Sequence, residues 1–403
     1  MRDEPSLRRL KIQLVSHEPV GLEKGLNHGG VGVSQFTVAR GLARLGHEVE
    51  LLGPAHESLD ESVDGVRIRG WRPSRLRFVS VFKNSRTLFK EVRRFSESGP
   101  AGRGFTIIPD VMGVSWPYPL PTVKVIKFTC THLLQAFEAN LKRPRLFTGL
   151  AERWRVPRAD AFFSISERTA EVSGRVLGLD WYSIPVIPNA VDTDLFRPLE
   201  DEARDPRLLL YVGTICEKKG ALELVEALDI LVRRYPDLRL IMIGRNGVDL
   251  KKRPDFMGRI RREFPATVER HVEFRGHVPN SELVRYYNRA AVVVLPSRHE
   301  SFGRTTIEAM ACGAVVVRTN APPAREIIRD GVDGLICGTR DSESIAVTVE
   351  KALSDPAAME EIRRSARKRV LENYAIDVVA KATEAFLIGL QQRGLDSRQE
   401  VPR

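Results

Sequence analysis

Between Ala291 and Val317 the chain spells a strand, a loop, a helix and a second strand. Val292, Val293, Val294 and Leu295 make a short β-branched run that suits a buried strand, and Pro296 closes it. A polar loop runs from Ser297 to Gly303. The spacing then predicts a short helix from Arg304 to Cys312, stopped by Gly313, where a left-handed cap costs little. Val315, Val316 and Val317 start the next strand. Such a unit belongs to a parallel sheet, because parallel neighbours need a crossover between them.

Two carboxylates stand out in this unit. Glu300 lies in the loop at the carboxyl end of a strand, and Glu308 sits on the helix among Ile307, Ala309, Met310 and Ala311. A carboxylate in so apolar a helix calls for a partner if it is buried. The amides of residues 302–305 head the helix and suit a phosphate. Together these parts offer an anion cradle flanked by two acceptors for hydroxyl groups, which fits a ribose, a diphosphate and a sugar. Either glutamate alone fits an ordinary surface loop; the pair, with Ser301, Phe302 and Gly303 between, points to a ligand.

The strand–helix alternation runs twice along the 403 residues. In the first half, Leu10 to Val15 is a strand, glycines follow up to Gly29-Gly30-Val31-Gly32, and a helix carries Phe36, Val38, Ala39, Leu42 and Leu45. Val49 to Leu52, Thr106 to Pro109 and Val123 to Phe128 are further strands, the last leading to His132. Phe196 to Pro206 is charged and proline-bearing without periodicity, and it marks a linker. The pattern then restarts with a strand Leu208 to Val212, a loop Gly213 to Gly220, a helix from Ala221 and a strand Leu238 to Ile243. The reading is an α/β chain of two doubly wound Rossmann-like domains facing across a cleft. Residues 1–195 form the first, completed by a final helix at 375–390; 196–206 link; 207–372 form the second; and 391–403 are a polar tail.

Composition narrows the partners. The net charge of +11 favours phosphorylated ligands or an anionic membrane over nucleic acid, since aromatics are only 7% and no nucleic-acid module accompanies the charge. The basic stretch Arg67 to Phe95 interleaves cations with Trp71, Phe78, Phe82, Phe89 and Phe95; it suits either an anionic membrane surface or a helix packed on its own sheet. Four cysteines with no close pair read as reduced thiols of a cytoplasmic protein. No apolar run approaches a membrane span, and the charged start reads against a secretory signal.

Glu300 and Glu308, with seven residues between them, resemble the E-x7-E element of the retaining glycosyltransferases of family 4, which have the GT-B fold. The likeness extends over nearly the whole chain and is strongest from Leu208 to Leu335. It implies a metal-independent, retaining transferase that needs no cofactor and moves a sugar from a nucleotide sugar to a hydroxyl acceptor. A uridine donor ranks ahead of GDP-mannose. The expected acceptor is a cell-envelope glycolipid or polysaccharide precursor. The alternatives are a soluble small molecule as acceptor, or a binding protein without catalysis.

The resemblance also assigns residues. His132, Lys219 and Glu300 are the expected catalytic group. Gly29, Gly30, Val31, Gly213, Thr214, Val278, Ser301, Phe302, Gly303, Arg304, Thr305 and Glu308, with Lys219 and Glu300, are expected to bind the donor. Lys219 would hold the diphosphate, Glu300 the donor-sugar hydroxyls and Glu308 the ribose. The family commonly carries a second cation where this chain has Thr214, so that charge must come from elsewhere, with Arg245, Arg275 and Arg304 as candidates. Asp192-Thr193-Asp194 spells a metal-type triplet but belongs to the hinge signature.

Overall fold

The computed structural model describes residues 9–16, 18, 20, 30–55, 58–71, 89–97, 104–110, 120–129, 159–249 and 253–394. The chain divides into one unit of Met1–Ala190 with Ile376–Arg403, and another of Val191–Ala375.

The first unit holds a seven-stranded sheet of β1 (Lys11–Val15), β2 (Glu48–Pro54), β3 (Leu59–Val63), β4 (Val66–Trp71), β5 (Phe105–Pro109), β6 (Val123–Phe128) and β7 (Ala161–Ser164), in the order β3-β4-β2-β1-β5-β6-β7. Among the described residues only β3 runs antiparallel, against β4. The inner strands are apolar throughout because helices cover them. The helix α1 (Gly30–Arg44) buries Val38, Ala39 and Leu42 against Ile12, Leu14 and Ile107. The last helix among the described residues, Ile376–Gln392, adds Val379, Ala380, Leu387 and Leu390 to the same core.

Gly30 and Val31, expected in a loop, instead open α1, which begins at Gly30. The Glu18 carboxylate accepts the Gly32 amide at 2.5 Å, so an acidic side chain already holds the first turn of a helix whose glycines disfavour it. In the basic stretch, residues 72–88 lie outside the described residues, while 89–97 are helical and bury Val92 and Phe95 on the sheet side. Arg69 pairs with Glu91 at 2.7 Å and Arg67 with Asp60 at 2.8 Å. The described part is therefore a packed helix with its cations partly paired.

The second unit is a six-stranded parallel sheet of β8 (Asp205–Val212), β9 (Arg239–Ile243), β10 (Val272–Gly276), β11 (Ala290–Leu295), β12 (Val315–Thr319) and β13 (Leu335–Cys337), ordered β10-β9-β8-β11-β12-β13. Strand order reverses between β8 and β11, which pair through Val292 with Leu209 and Val293 with Leu210. That reversal is where doubly wound sheets open a crevice at their carboxyl ends. The helices α3 (Ala221–Leu231), which follows α2 (Glu167–Leu177) of the first unit, and α5 (Ser342–Ser354) pack on the sheet through Leu224, Leu228, Ile345 and Val349. Between them in sequence lies α4 (Arg304–Ala311).

Candidate functional site

The loops after β8 and β11 meet at the reversal point. Gly220 ends the first, at φ +67°, and a Cβ there would sit 1.9 Å from the Pro296 carbonyl oxygen. Only glycine allows so close an approach in a left-handed conformation. Arg298 ties the loops further: its Nε donates to Glu223 Oε1 at 2.6 Å, its Nη1 to Glu217 Oε1 at 2.9 Å, and its amide to the Lys218 carbonyl at 3.0 Å.

This clamp brings Lys219 to Glu300. The Lys219 ammonium donates to Glu300 Oε1, and Ser297 Oγ donates to the same oxygen at 3.0 Å. The Glu300 side chain keeps 16% exposure and that of Lys219 29%, so both groups retain access to solvent. Burial pushes the Glu300 carboxyl up, but the cations of Lys219 and Arg318 and the hydrogen bonds from Lys219 and Ser297 outweigh it, leaving it below its ordinary range.

The loop then turns into α4. Gly303 is the N-cap, at φ +97°, and it has no side chain to accept the amides of the first turn. Phe302 is buried, its ring edge-on to Tyr374 at 5.9 Å. Ser301, Arg304 and Thr305 flank the turn, each partly exposed. Arg304 donates to Glu308 Oε1 at 2.8 Å, and the Tyr287 hydroxyl lies 3.4 Å from Glu308 Oε2. Glu308 thus has the partners its apolar helix demands. Burial pushes the Tyr287 hydroxyl well above its ordinary range, with Glu308 acting in the same direction.

Other predicted residues are more spread. Gly213 follows β8, and Thr214 after it is exposed, its carbonyl accepting from the Tyr211 hydroxyl at 2.7 Å. Val278 is buried past β10, at the far edge of the sheet from β13. Gly30 and Val31 open α1 of the other unit. Gly29 and His132 lie outside the described residues. Asp192 spends its Oδ1 on the amides of Asp194 and Leu195, at 3.1 and 3.2 Å, as in an ordinary turn. Of the candidates for a second cation, Arg304 is paired with Glu308, Arg275 with Glu273, and Arg245 is exposed beyond β9.

The sequence reading missed Ser297, Arg298, Tyr287 and Arg318. Arg318 carried a visible signal: a cation directly after three valines of a buried strand demands a reason. The loop residues carried none, since their roles depend on which loops meet.

What the site can do is hold an anion against a helix start and a lysine, with a carboxylate beside them for hydroxyl groups. A family model described as "Glycosyl transferases group 1" matches residues 192–369, and one described as "Glycosyltransferase Family 4" matches 28–195. Glycogen synthase of Mycobacterium tuberculosis is 28% identical over 404 residues, covering 93% of this chain and 94% of its own. A D-inositol 3-phosphate glycosyltransferase of Kineococcus radiotolerans is 25% identical over 441 residues, covering 99% and 100%. Among solved structures, sucrose-phosphate synthase from Thermosynechococcus elongatus superposes with TM-score 0.74 at 19% identity, over 96% of this chain and 100% of that one. Anabaena HepE, solved with UDP and glucose, gives 0.72 at 16% identity, over 95% and 100%. These two likenesses concern the fold, two Rossmann-like units of GT-B type.

Proposed function

Because the chain belongs to the glycosyltransferases of family 4 and is an enzyme that transfers sugars from a nucleotide-sugar donor, we propose that it does so with retention and without a metal or other cofactor. A uridine donor is favoured, with GDP-mannose second. The acceptor is a hydroxyl group of a cell-envelope glycolipid or polysaccharide precursor.

The observation that carries this reading is the Lys219–Glu300 pair beside the start of α4. The diphosphate rests on Lys219 and the amides of Ser301 to Thr305, displacing the lysine from the carboxylate. Glu300 then accepts from donor-sugar hydroxyls. Glu308, oriented by Arg304, accepts from the ribose. Backbone groups about Val278 face the base. The bond from the anomeric carbon to the diphosphate oxygen breaks while the bond to the acceptor oxygen forms on the same face, and the departing phosphate oxygen takes the acceptor's proton. Positive charge at Lys219 and the helix start stabilises the charge that develops on that oxygen.

The names of the relatives support an acceptor at the polysaccharide or phosphorylated-polyol end of the range, and the net charge of +11 suits an anionic one. Cys216, Cys312 and Cys337 are free thiols, which supports a cytoplasmic location. No helix among the described residues is long and apolar enough to cross a membrane. Contact of the basic stretch Arg67 to Phe95 with an anionic membrane is part of the same proposal. Thr214, where a cation is usual, favours a second reading, a nucleotide-sugar-binding protein without catalysis.

Incubation with UDP- and GDP-sugars across an acceptor panel, in the presence of a chelator, separates the readings. Nucleoside diphosphate release with an acceptor, and a product of unchanged anomeric configuration, is the expected result. Binding without turnover supports the second reading, and inversion or a strict metal requirement overturns the mechanism.

A further inference from the structure

We propose that Arg318, a residue with no expected role, is the second cation of this site and acts from underneath as a positioning residue: its buried guanidinium supports the Glu300 loop and the start of α4 and adds positive charge where a nucleoside diphosphate rests. The inference deepens the preceding reading of the site and depends on it.

Arg318 closes β12 and is 1% exposed, among the largest fully buried side chains of the chain. Burying a guanidinium is costly unless its charge and its N–H groups are satisfied. Here they are satisfied only in part. Nη1 donates to Thr306 Oγ1 at 3.3 Å, whereas Nη2 has no hydrogen-bond partner among the described residues. An Arg318 kept for stability alone would be better replaced by an apolar side chain.

Its position supplies the reason. A Cβ built on Gly303 would lie 2.9 Å from Nη1 and 3.2 Å from both Cζ and Nη2, so the guanidinium packs directly against the N-cap of α4. The partial positive charge of the helix start and the full charge of Arg318 therefore stand together. Lys219 adds a third positive contribution from the other loop. Glu300 faces both cations, and Glu326 and Tyr374 also act on Arg318. Two carboxylates therefore face two full cations, and the helix start adds its own partial positive charge beside Arg318, which favours an anion at the surface above Gly303. Thr214 leaves vacant the place of the usual second cation; Arg318 provides a charge from the opposite side of the crevice.

Two binding probes, UDP and GDP, and the matching nucleosides test this on the full-length protein by titration calorimetry. In Arg318→Gln the affinity for the nucleoside diphosphate that wild type prefers falls by about tenfold, the scale of one charge in a partly buried site. Affinity for the nucleoside stays within about twofold, and Arg318→Lys recovers most of the loss because charge is what the site needs. In turnover, KM for the donor rises more than kcat falls. Equal weakening of nucleoside and diphosphate, or unchanged diphosphate affinity in a folded Arg318→Gln protein, overturns the inference while leaving the function proposal standing. A wild type that binds neither diphosphate sinks both. Should Arg318→Gln not fold, Thr306→Val, which removes the partner of Nη1, carries the test: selective loss of diphosphate affinity supports the inference and no change overturns it.

Discussion

The Lys219 ammonium is hydrogen-bonded to the Glu300 carboxylate although 81 positions of sequence separate them. Each group is thereby held where a different part of one ligand would need it. Under the proposed function, the lysine is neutralised by this carboxylate until a diphosphate replaces that partner. The desolvation cost of both groups is contained by keeping each partly exposed.

Replacing Glu300 by alanine is expected to separate chemistry from binding. Transfer should fall by about a hundredfold or more, the scale of a lost transition-state contact. Nucleoside diphosphate affinity should stay within about threefold or improve, because Lys219 loses its competitor. Steady-state kinetics and calorimetry on the same preparation check this. A tenfold loss of nucleotide affinity would contradict the role given to Glu300.

Gly220→Ala should destabilise the second unit. The added Cβ meets the Pro296 carbonyl at 1.9 Å and must also adopt φ +67°. A loss of about 2 kcal/mol or more is expected from the contact and the backbone strain together. Denaturant unfolding followed by far-UV circular dichroism measures it. A variant as stable as wild type would show that the two loops do not approach so closely.

The two mutations differ in how far the sequence alone foretold them. The fold was legible because its strands are apolar β-branched runs and its helices keep a 3.6-residue spacing, so β8, β11 and β12 stand within a few residues of their expected bounds. Lys219 and Glu300 were legible as individuals through motif resemblance. Their pairing was not, since it follows from the close approach of Gly220 to Pro296 and the grip of Arg298 on Glu217 and Glu223. Local composition misled at α1, where three glycines read as loop but the Glu18 carboxylate secures the first turn. Arg318 was hidden because a cation after three valines looks like the exit of a strand, while in the fold it lies buried under Gly303.

Acid should weaken the protein partly through Glu300. Its folded carboxyl titrates below the ordinary value of 4.5, because Lys219, Arg318 and Ser297 outweigh the effect of burial. The folded state therefore keeps the carboxylate ionised at pH values where the unfolded chain already takes up a proton. The stabilisation is complete above the unfolded value and is lost as pH falls through the folded one. The stability gap between wild type and Glu300→Gln should accordingly shrink as pH drops from about 5 to about 3. Parallel melting curves across that range check it, and a constant gap would show that Glu300 carries no such shift.

The central claim is that one nucleotide is held at the carboxyl ends of β8 and β11, against Lys219 and the start of α4. A crystal structure of the protein with UDP or GDP tests it most directly. The account predicts phosphate oxygens within hydrogen-bond distance of Lys219 Nζ and the amides of Gly303 to Thr305, with Glu300 released from the lysine. A nucleotide bound elsewhere on the chain, with the Lys219–Glu300 pair intact, would contradict it.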